Sequence, residues 1–280
     1  MIIVTGAAGQ LGGDVCRLLK EKGIPHKGID KADVDITSES AVKDYFGSTA
    51  FDVLIHCAAY TAVDKAEQEK ELCYAVNAKG TENLARLCRD KKAAIIYIST
   101  DYVFPGEGEA PYGTDDEKAP LSVYGKSKHE GEKAVISLCE KYFIVRTSWV
   151  FGEENRNFIA TMLRLSQTRS EVNVIYDQVG SPTYSADLAV LLTEMAQTEK
   201  YGVYHATNEG FCSWYELAKK VFDYKKIPVK VNPVTSEQYI TPAERPKNSR
   251  LSKSSLTDAG FSLLPRWEDA VERYLDKKSE

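Results

Sequence analysis

The sequence predicts an α/β protein with a doubly wound, mostly parallel sheet and a smaller mixed C-terminal domain. Short β-branched runs alternate with helix-period segments over the first 150 residues, which is typical of parallel strands joined by right-handed helical crossovers. The first apolar run leads into the glycine-rich segment Thr5-Gly6-Ala7-Ala8-Gly9-Gln10-Leu11-Gly12, and the acidic residue Asp30 ends the second run. This combination is the arrangement of a Rossmann dinucleotide-binding domain.

Five apolar or β-branched runs in the first half are predicted as strands. Strands that helices cover on both faces are nearly all apolar, as Val53-Leu54-Ile55 and Ile95-Ile96-Tyr97-Ile98 are. The five predicted strands span residues 2–5, 26–30, 53–58, 94–100 and 143–148. Helical periodicity between them predicts helices at residues 10–22, 38–47, 68–91 and 123–141.

The second half is less regular, and its pattern does not separate cleanly from the first. We expect a Rossmann domain over residues 1–150 and a mainly substrate-binding domain over residues 151–280, interleaved, with the strands near 172–176 and 202–206 joining or bordering the first sheet. A proline-rich stretch covers residues 228–246. Helices are predicted near residues 157–167, 185–197, 213–222 and 267–277.

The composition bounds the class of protein. A chain of 280 residues with 43% hydrophobic content can bury a substantial core. The net charge of -5 comes from mixed acidic and basic residues, so we expect neither a nucleic acid nor a membrane as partner. Met1 runs straight into an apolar strand and no apolar run reaches about 18 residues, which predicts a cytoplasmic protein. The six cysteines lack Cys-x-x-Cys spacing, which predicts reduced core thiols.

The glycine-rich segment predicts a dinucleotide site. Gly6, Gly9 and Gly12 close the first strand and open the first helix, where the backbone turns tightly, approaches a pyrophosphate and lets helix pack on strand. The N-terminus of that helix offers free N–H groups and a positive dipole end to phosphates. A bare glycine-rich turn would be a weak signal, but its position directly after the first strand strengthens it.

Residues after the next two strands are predicted to complete the cofactor site. Asp30 suits the 2'-hydroxyl of the adenosine ribose in NADH, whereas Lys31 beside it could neutralise the 2'-phosphate of NADPH, so both cofactors stay open. We expect Asp35-Ile36 to lie over the adenine. The small residues of Cys57-Ala58-Ala59-Tyr60 suit a close approach of the cofactor at the carboxyl edge of the sheet.

Three side chains are predicted to reduce a carbonyl group. Tyr124 would donate the proton, and Lys128, one helical turn later, would lower the pKa of the phenol from about 10, while Lys126 points away. Thr100 ends the fourth predicted strand, where its hydroxyl can hold the substrate oxygen. Asp101 follows it and is placed to bind a sugar hydroxyl.

Each of these residues also has an ordinary structural interpretation. A Ser-Thr-Asp at a strand end is often turn chemistry, and the other two Tyr-x-x-x-Lys pairs, Tyr215/Lys219 and Tyr274/Lys278, fit solvated helix faces. What favours function at Tyr124 is its place behind the glycine-rich turn and the strand-end threonine. Asn77 could stabilise its helix or belong to a proton relay, and the sequence does not decide between the two.

Three marks occur in a fixed order along the chain. They are the Thr-Gly-x-x-Gly-x-x-Gly start, the Asn-x-x-Gly-Thr helix that begins at Asn77, and the Tyr-x-x-x-Lys pair at Tyr124. On these motifs the chain resembles the extended short-chain dehydrogenase/reductase family.

Five longer segments narrow the resemblance to the dTDP-4-dehydrorhamnose reductase family. They are Ala58-Ala59-Tyr60-Thr61-Ala62-Val63-Asp64-Lys65-Ala66-Glu67, Ser99-Thr100-Asp101-Tyr102-Val103-Phe104, Arg146-Thr147-Ser148-Trp149-Val150, Asp177-Gln178-Val179-Gly180-Ser181-Pro182-Thr183 and Arg245-Pro246-Lys247-Asn248-Ser249-Arg250-Leu251.

The resemblance implies a reaction and a set of contacts. The reaction is reduction of the 4-keto group of the nucleotide sugar dTDP-4-dehydro-L-rhamnose to dTDP-L-rhamnose, which serves cell-surface polysaccharide synthesis. Thr100, Asp101 and Trp149 match substrate contacts, and Arg245 and Arg250 are candidate diphosphate clamps. The matched cofactor contacts are Gly9, Gln10, Leu11, Asp30, Asp35, Ile36, Ala58, Ala59, Tyr60, Tyr124 and Lys128.

The resemblance also bears on metal and assembly. Some members of the family carry magnesium at a dimer contact, and Asp14 on the first helix is the nearest acidic match. We therefore leave Mg²⁺ and a homodimer open, and assign no residue to a metal.

Two other functions are compatible with the same motifs. A related nucleotide-sugar reductase or epimerase would use the same Tyr124/Lys128 pair, and an epimerase would retain its NAD. The regulatory subunit of methionine adenosyltransferase resembles these reductases and binds NADP without turnover. The presence of Thr100 together with Tyr124 and Lys128 weighs against this second alternative, because a binding subunit needs no proton donor.

Overall fold

A computed structural model of the protein describes residues 1–153 and 157–278. The chain alternates strands and helices through its first half and mixes shorter elements into its second. The strands are β1 Ile2–Thr5, β2 His26–Ile29, β3 Val53–His56, β4 Ala94–Thr100, β5 Tyr142–Thr147, β6 Val150–Phe151, β7 Glu171–Ile175, β8 Val179–Gly180, β9 Thr183–Tyr184, β10 Gly202–His205, β11 Cys212–Ser213, β12 Lys230–Val234 and β13 Asn248–Ser249. The α-helices are α1 Gln10–Glu21, α2 Glu39–Phe46, α3 Val63–Ala66, α4 Lys70–Tyr74, α5 Thr81–Lys91, α6 Val123–Leu138, α7 Phe158–Ser166, α8 Ser185–Met195, α9 Trp214–Lys225, α10 Ser254–Asp258 and α11 Trp267–Lys277.

A six-stranded parallel sheet forms the centre of the molecule, in the order β10-β5-β4-β3-β1-β2. Successive strand side chains point to opposite faces. Val4, Ile55 and Ile96 pack against α1 and α8 on one face, while Leu54 and Ile95 pack against α2, α5 and α6 on the other. The predicted doubly wound α/β fold is confirmed, and the near-continuous apolar runs are explained by burial on both faces.

Several predicted elements have different bounds in the structure, and three of them bear on the site. Strand β3 ends at His56, so residues 57–60 form a loop at the carboxyl edge of the sheet. Helix α6 ends at Leu138 because Cys139 adopts an extended backbone. The long helix predicted at 68–91 is divided into α4, a π-helical segment Ala75–Gly80 and α5. Single π-turns of this kind occur frequently at functional sites.

The second half builds a separate cluster and also returns to the central sheet. Both later strands were expected to join or border the central sheet, and β10 does so by pairing with β5. Strand β7 pairs instead with β12, which runs through the proline-rich stretch, and forms a two-stranded sheet outside the central one. The division of the chain at residue 150 stays a prediction. Across residues 1–153 and 157–278, no helix is long and apolar enough to cross a membrane.

Candidate active site

The glycine-rich turn after β1 requires glycine at two of its positions. Gly6 has φ +67°, and a Cβ on it would lie 2.8 Å from the backbone nitrogen of Ala58. A Cβ on Gly12 would lie 2.1 Å from the carbonyl oxygen of Gly6. Gly9 is the N-cap of α1 and supplies no side-chain cap, so N–H groups at the start of the helix have no side-chain acceptor there. This cradle fits a dinucleotide pyrophosphate.

The acidic residue after β2 faces this turn. Asp30 Oδ2 accepts a hydrogen bond from the backbone N–H of Ala8 at 2.6 Å, which places the carboxylate beside the glycine loop. Lys31 follows it and is exposed. Gln10 is half-buried at the start of α1, whereas the side chain of Leu11 lies in the core. Leu11 can therefore contribute only its backbone to a ligand.

The predicted adenine segment has defined local contacts. Asp35 Oδ1 accepts hydrogen bonds from the backbone and the hydroxyl of Thr37, at 3.0 and 2.7 Å, and these bonds lower the pKa of the Asp35 carboxyl. The carbonyl of Ile36 accepts from the side-chain amide of Asn83 at 2.9 Å. The side chain of Ile36 packs against Gly80, where a Cβ would lie 2.9 Å from it.

The loop after β3 is held by a buried asparagine. The side chain of Asn77 accepts from the backbone N–H of Tyr60 at 2.8 Å and donates to the carbonyl of Tyr60 at 3.0 Å. Its amide also lies 3.0 Å from Ser127 Oγ on α6. Asn77 thus joins the Ala58-Ala59-Tyr60 loop to the helix that carries Tyr124. These contacts favour the stabilising interpretation of Asn77.

Helix α6 is oriented by two caps at its N-terminus. Ser122 Oγ accepts from the backbone N–H of Gly125 at 3.2 Å, and Glu67 Oε1 accepts from the backbone N–H of Val123 at 2.8 Å. A carboxylate at this end of a helix also interacts favourably with the helix dipole. The caps fix the first turn of α6, on which Tyr124 lies.

The side chain of Lys128 lies within the protein. It is 2% exposed, and its Nζ lies 4.0 Å from the centre of the Tyr97 ring. The hydroxyl of Tyr97 donates to the backbone carbonyl of Lys128 at 3.2 Å. Burial lowers the pKa of Lys128 to about 7, against the opposing effect of the Glu132 carboxylate. Near neutral pH this lysine can therefore change its charge.

Tyr124 is half-buried and packs edge-on against Tyr102, with ring centres 5.6 Å apart. Burial raises the pKa of the Tyr124 phenol, while a hydrogen bond with Thr100 acts in the opposite direction. The prediction that Lys128 lowers this pKa below its ordinary value is wrong for the protein by itself. Desolvation of the phenol is the larger effect, and burial also weakens the positive charge of Lys128.

Thr100 and Asp101 are joined to each other at the end of β4. Thr100 Oγ1 donates to Asp101 Oδ1 at 2.9 Å and accepts from the backbone N–H of Tyr102 at 3.2 Å. Both Thr100 and Asp101 are buried. Burial raises the pKa of Asp101 to about 6, partly offset by the neighbouring hydroxyls of Ser249 and Thr100. Asp101 therefore accepts the one proton of the hydroxyl that was predicted to hold the substrate oxygen.

Trp149 adopts an unusual backbone conformation after β5. Its φ is +50°, in the left-handed region that bulky residues rarely occupy. One face of its ring stacks on Trp214 with centres 3.6 Å apart, and Gly180 lies close to the ring. Sequence reasoning missed Trp214, since nothing in its local pattern distinguishes it from a core residue. The stacked face of Trp149 is covered, so only the remaining ring surface can reach a substrate.

The two candidate diphosphate clamps lie on the wall of a cavity of about 880 Å³. Arg245 forms a two-pronged salt bridge with Asp64, at 3.0 and 2.7 Å. Arg250 Nη1 donates to Asn248 Oδ1 at 3.0 Å. The cavity lies between residues 105–109, which follow β4, and the loop over residues 236–247. Arg245 is thus already held in place by a carboxylate from α3.

Asp14, the residue considered for magnesium, is engaged within the protein. Its carboxylate accepts hydrogen bonds from Ser185 and Arg17. Within residues 1–153 and 157–278, no group of three or more histidine, cysteine or acidic residues could hold a metal ion. Nothing in the described structure supports magnesium at Asp14.

Comparison with known proteins identifies the relatives of this chain. The family model of the RmlD substrate binding domain matches residues 1–280. The chain is 38% identical to the spore coat polysaccharide biosynthesis protein SpsK of Bacillus subtilis, over 99% of this chain and 98% of that protein. It is 41% identical to a dTDP-4-dehydrorhamnose reductase of Aggregatibacter actinomycetemcomitans, over 96% of each. The crystal structure of dTDP-4-dehydrorhamnose reductase from Bacillus anthracis in complex with NADP matches with a TM-score of 0.96 and 43% identity, over 99% of this chain and 98% of that one.

Proposed function

Because this chain belongs to the dTDP-4-dehydrorhamnose reductase family, we propose that it reduces the 4-keto group of dTDP-4-dehydro-L-rhamnose to give dTDP-L-rhamnose. The observation that supports the proposal is that Tyr124 and Lys128 lie one turn apart on α6, and Thr100 ends β4 of the sheet that also carries the glycine cradle. Ligands of open α/β sheets bind at this edge. The product would serve polysaccharide synthesis, as the name of the Bacillus subtilis relative suggests.

The glycine cradle and Asp30 would hold a nicotinamide dinucleotide. When bound, this cofactor supplies the hydride that the carbonyl carbon receives. The N-terminus of α1 would face the pyrophosphate, and Asp30 would accept from a ribose hydroxyl. The exposed Lys31 can neutralise a 2'-phosphate, and the Bacillus anthracis relative contains NADP. We propose that the enzyme accepts both NADH and NADPH.

Tyr124, Thr100 and Lys128 would carry out the proton transfer to the carbonyl oxygen. Tyr124 gives its phenolic proton to the carbonyl oxygen as that oxygen becomes an alcohol, and the high pKa of the phenol keeps the proton in place beforehand. Thr100 Oγ1 donates to Asp101 Oδ1 in the described structure, so its hydroxyl proton would have to turn from Asp101 toward the same oxygen to hold it. Protonated Lys128 would stabilise the tyrosinate that remains.

The cavity beside this centre would receive the nucleotide sugar. Arg245, Lys247 and Arg250 place three cationic side chains on its wall, and a guanidinium fork suits a diphosphate. The free edge of Trp149 would contact the sugar or its base. A cytoplasmic location and a homodimer stay predictions from the sequence.

The proposal is tested by an assay of NADPH oxidation. The substrate is dTDP-4-dehydro-6-deoxyglucose generated in situ, with and without a 3,5-epimerase. Oxidation that requires the epimerase supports the proposal. Oxidation of the unepimerised sugar would identify a different nucleotide-sugar reductase, and NAD that stays bound through purification without net oxidation of NADPH would identify an epimerase.

A further inference from the structure

A buried ion pair lies behind the proposed catalytic residues. Arg146 on β5 binds Glu132 on α6 through two hydrogen bonds, Nε to Oε1 and Nη2 to Oε2, both of 2.8 Å. The two side chains are 2% and 1% exposed. This is the fork-to-carboxylate geometry that gives Arg–Glu pairs both strength and a fixed orientation.

Glu132 connects the strand of Thr100 with the helix of Lys128. Ser99, the residue before Thr100, donates through its hydroxyl to Glu132 Oε1 at 2.6 Å. Glu132 also lies one helical turn after Lys128, so the two side chains share a face of α6. A single carboxylate thereby sets the distance between the two elements that carry the proton-transfer groups.

Arg146 extends the connection toward the substrate cavity. Its Nη1 donates to the carbonyl of Thr114 at 2.9 Å and lies 3.3 Å from Nε2 of His205. Its guanidinium also lies over the Phe104 ring, 5.2 Å from the ring centre. Thr114 belongs to the segment between β4 and α6, which also contains the cavity-lining residues 105–109. The ion pair therefore contacts α6, the strand of Thr100 and the segment between β4 and α6 at once.

Such a pair is poorly explained as a source of stability. Taking two charges out of water costs about as much as their attraction returns, so well-packed apolar residues of similar volume often stabilise a fold equally well. The Arg146–Glu132 pair does fix the relative positions of α6, β4 and the segment between them, because its hydrogen bonds reach all three. We propose that Glu132 is a positioning residue for the reduction, which aligns Lys128 and Tyr124 on α6 with Thr100 on β4. This inference rests on the proposed function of the site.

Electrostatics give the proposal a distinct signature. Glu132 raises the pKa of Lys128 against the larger, lowering effect of burial. The other titratable groups around Lys128 are neutral at pH 7, because burial raises the thiol pKa of Cys57 and Cys73 and lowers the pKa of His56 to about 3. Tyr97 on β4 is also neutral, since burial raises its pKa. His129 Nδ1 lies 3.6 Å from Glu132 itself. Among these groups, Glu132, which is paired with the cation Arg146, is thus the anion that favours the charged form of Lys128.

The test compares Glu132→Gln with Glu130→Gln, two changes on the same helix. Glu130 is exposed and pairs only with Lys133 in the described structure, so its replacement controls for loss of a charge on α6. We expect Glu132→Gln to lower kcat about 10- to 100-fold, because small misplacements of reacting groups cost this much, with NADPH affinity little changed. The alkaline fall of kcat/KM for NADPH should also move to lower pH in Glu132→Gln and stay in place in Glu130→Gln.

The outcomes separate this inference from the proposed function. If the unsubstituted protein does not oxidise NADPH with the sugar, the proposed function fails. If it is active and folded Glu132→Gln keeps its kcat and its pH profile, Glu132 is not a positioning residue. A lower melting temperature with unchanged kcat would also overturn the inference, because it would indicate a structural role alone. Should Glu132→Gln fold poorly, Ser99→Ala removes one bond to the same carboxylate and should lower kcat in the same direction.

Discussion

Tyr124 and Lys128 show how burial decides the chemistry of single side chains. The sequence predicts that Lys128 lowers the pKa of the Tyr124 phenol. In the structure the phenol is stabilised in its protonated form and the lysine has a pKa of about 7. A protonated phenol is the form that a ketone reductase needs before the reaction. The charge of Lys128 becomes useful only when the tyrosine has given up its proton.

Replacement of Tyr124 by phenylalanine deletes only the phenolic oxygen. We expect turnover to fall by at least about 10²-fold, the usual contribution of a general acid, while NADPH affinity changes little. Steady-state kinetics and a fluorescence titration with NADPH measure the two effects. Tyr215→Phe is the control, since Tyr215 and Lys219 form another Tyr-x-x-x-Lys pair. The Nζ of Lys219 lies 5.9 Å from the centre of the Tyr215 ring. Wild-type turnover in Tyr124→Phe would show that another group donates the proton.

The pH dependence of the reaction should follow Lys128. We expect kcat/KM for NADPH to fall as the pH rises through about 7, because this ratio reports groups of the free enzyme and Lys128 loses its charge there. The same lysine binds a proton more readily when unfolded, at its ordinary pKa of about 10.4, so its contribution to stability should rise between about pH 7 and 10. Rate and stability profiles of Lys128→Met should lack both changes. A Lys128→Met protein that keeps the alkaline fall would exclude Lys128 as its cause.

The elements of the site are fixed both by a close backbone approach and by a side-chain hydrogen bond to a backbone. Helix α1 meets the turn after β1 so closely that Gly12 touches the carbonyl of Gly6. Farther along the chain, the π-helical segment Ala75–Gly80 brings Asn77 to the backbone of Tyr60. A side chain at Gly12 would clash with the first turn, and a shift of the Tyr60 loop would break its bond to Asn77. Both regions are therefore rigid supports for a ligand.

Gly12→Ala and Gly13→Ala form a matched pair within α1. A Cβ at position 12 would lie 2.1 Å from the Gly6 carbonyl, whereas a Cβ at position 13 meets only an ordinary contact at 3.4 Å from Ala7. We expect Gly12→Ala to destabilise the protein by about 1–3 kcal/mol or more and to weaken NADPH binding strongly. Gly13→Ala should be neutral or stabilising by up to about 1 kcal/mol. Denaturant melts with and without NADPH measure both; equal effects of the two changes would contradict the packing argument.

At the scale of the whole molecule, the two halves of the chain meet around the cavity. Asp64 on α3 binds Arg245 from the C-terminal loop, across 181 residues of sequence. Asp64 Oδ1 also accepts a hydrogen bond from the backbone N–H of Ala243 at 3.3 Å. The cavity loop over residues 236–247 is therefore tied to the helix that follows the cofactor strand β3.

Asp64→Asn should loosen this connection without touching the cofactor cradle. We expect KM for the nucleotide sugar to rise about fivefold, which corresponds to about 1 kcal/mol for a partly exposed pair, with NADPH affinity unchanged. Glu39→Gln, which removes a partner of the exposed Glu39–Lys43 pair, is the control. Substrate titrations of both variants decide the matter. An unchanged KM in Asp64→Asn would mean that Arg245 reaches its place without this salt bridge.

Features that depend on local spacing could be predicted from the order of residues alone. Alternating runs predict the parallel sheet, glycines three residues apart predict the cradle, and the four-residue step from Tyr124 to Lys128 predicts a shared helix face. Each of these follows from backbone geometry over a few residues. The single helix predicted at 68–91 is interrupted by the π-helical segment Ala75–Gly80. Its Asn77 contacts Tyr60, which lies outside the predicted helix, so the local pattern does not reveal this interruption.

Contacts between segments far apart in the chain became visible only in the folded protein. The stack of Trp149 on Trp214, the bond from Arg245 to Asp64 and the pair of Glu132 with Arg146 join elements whose distance no local pattern encodes. The same holds for the charge states of the site. A pKa depends on how much water the fold excludes and on which charges it brings near, and both are set when the whole chain is packed.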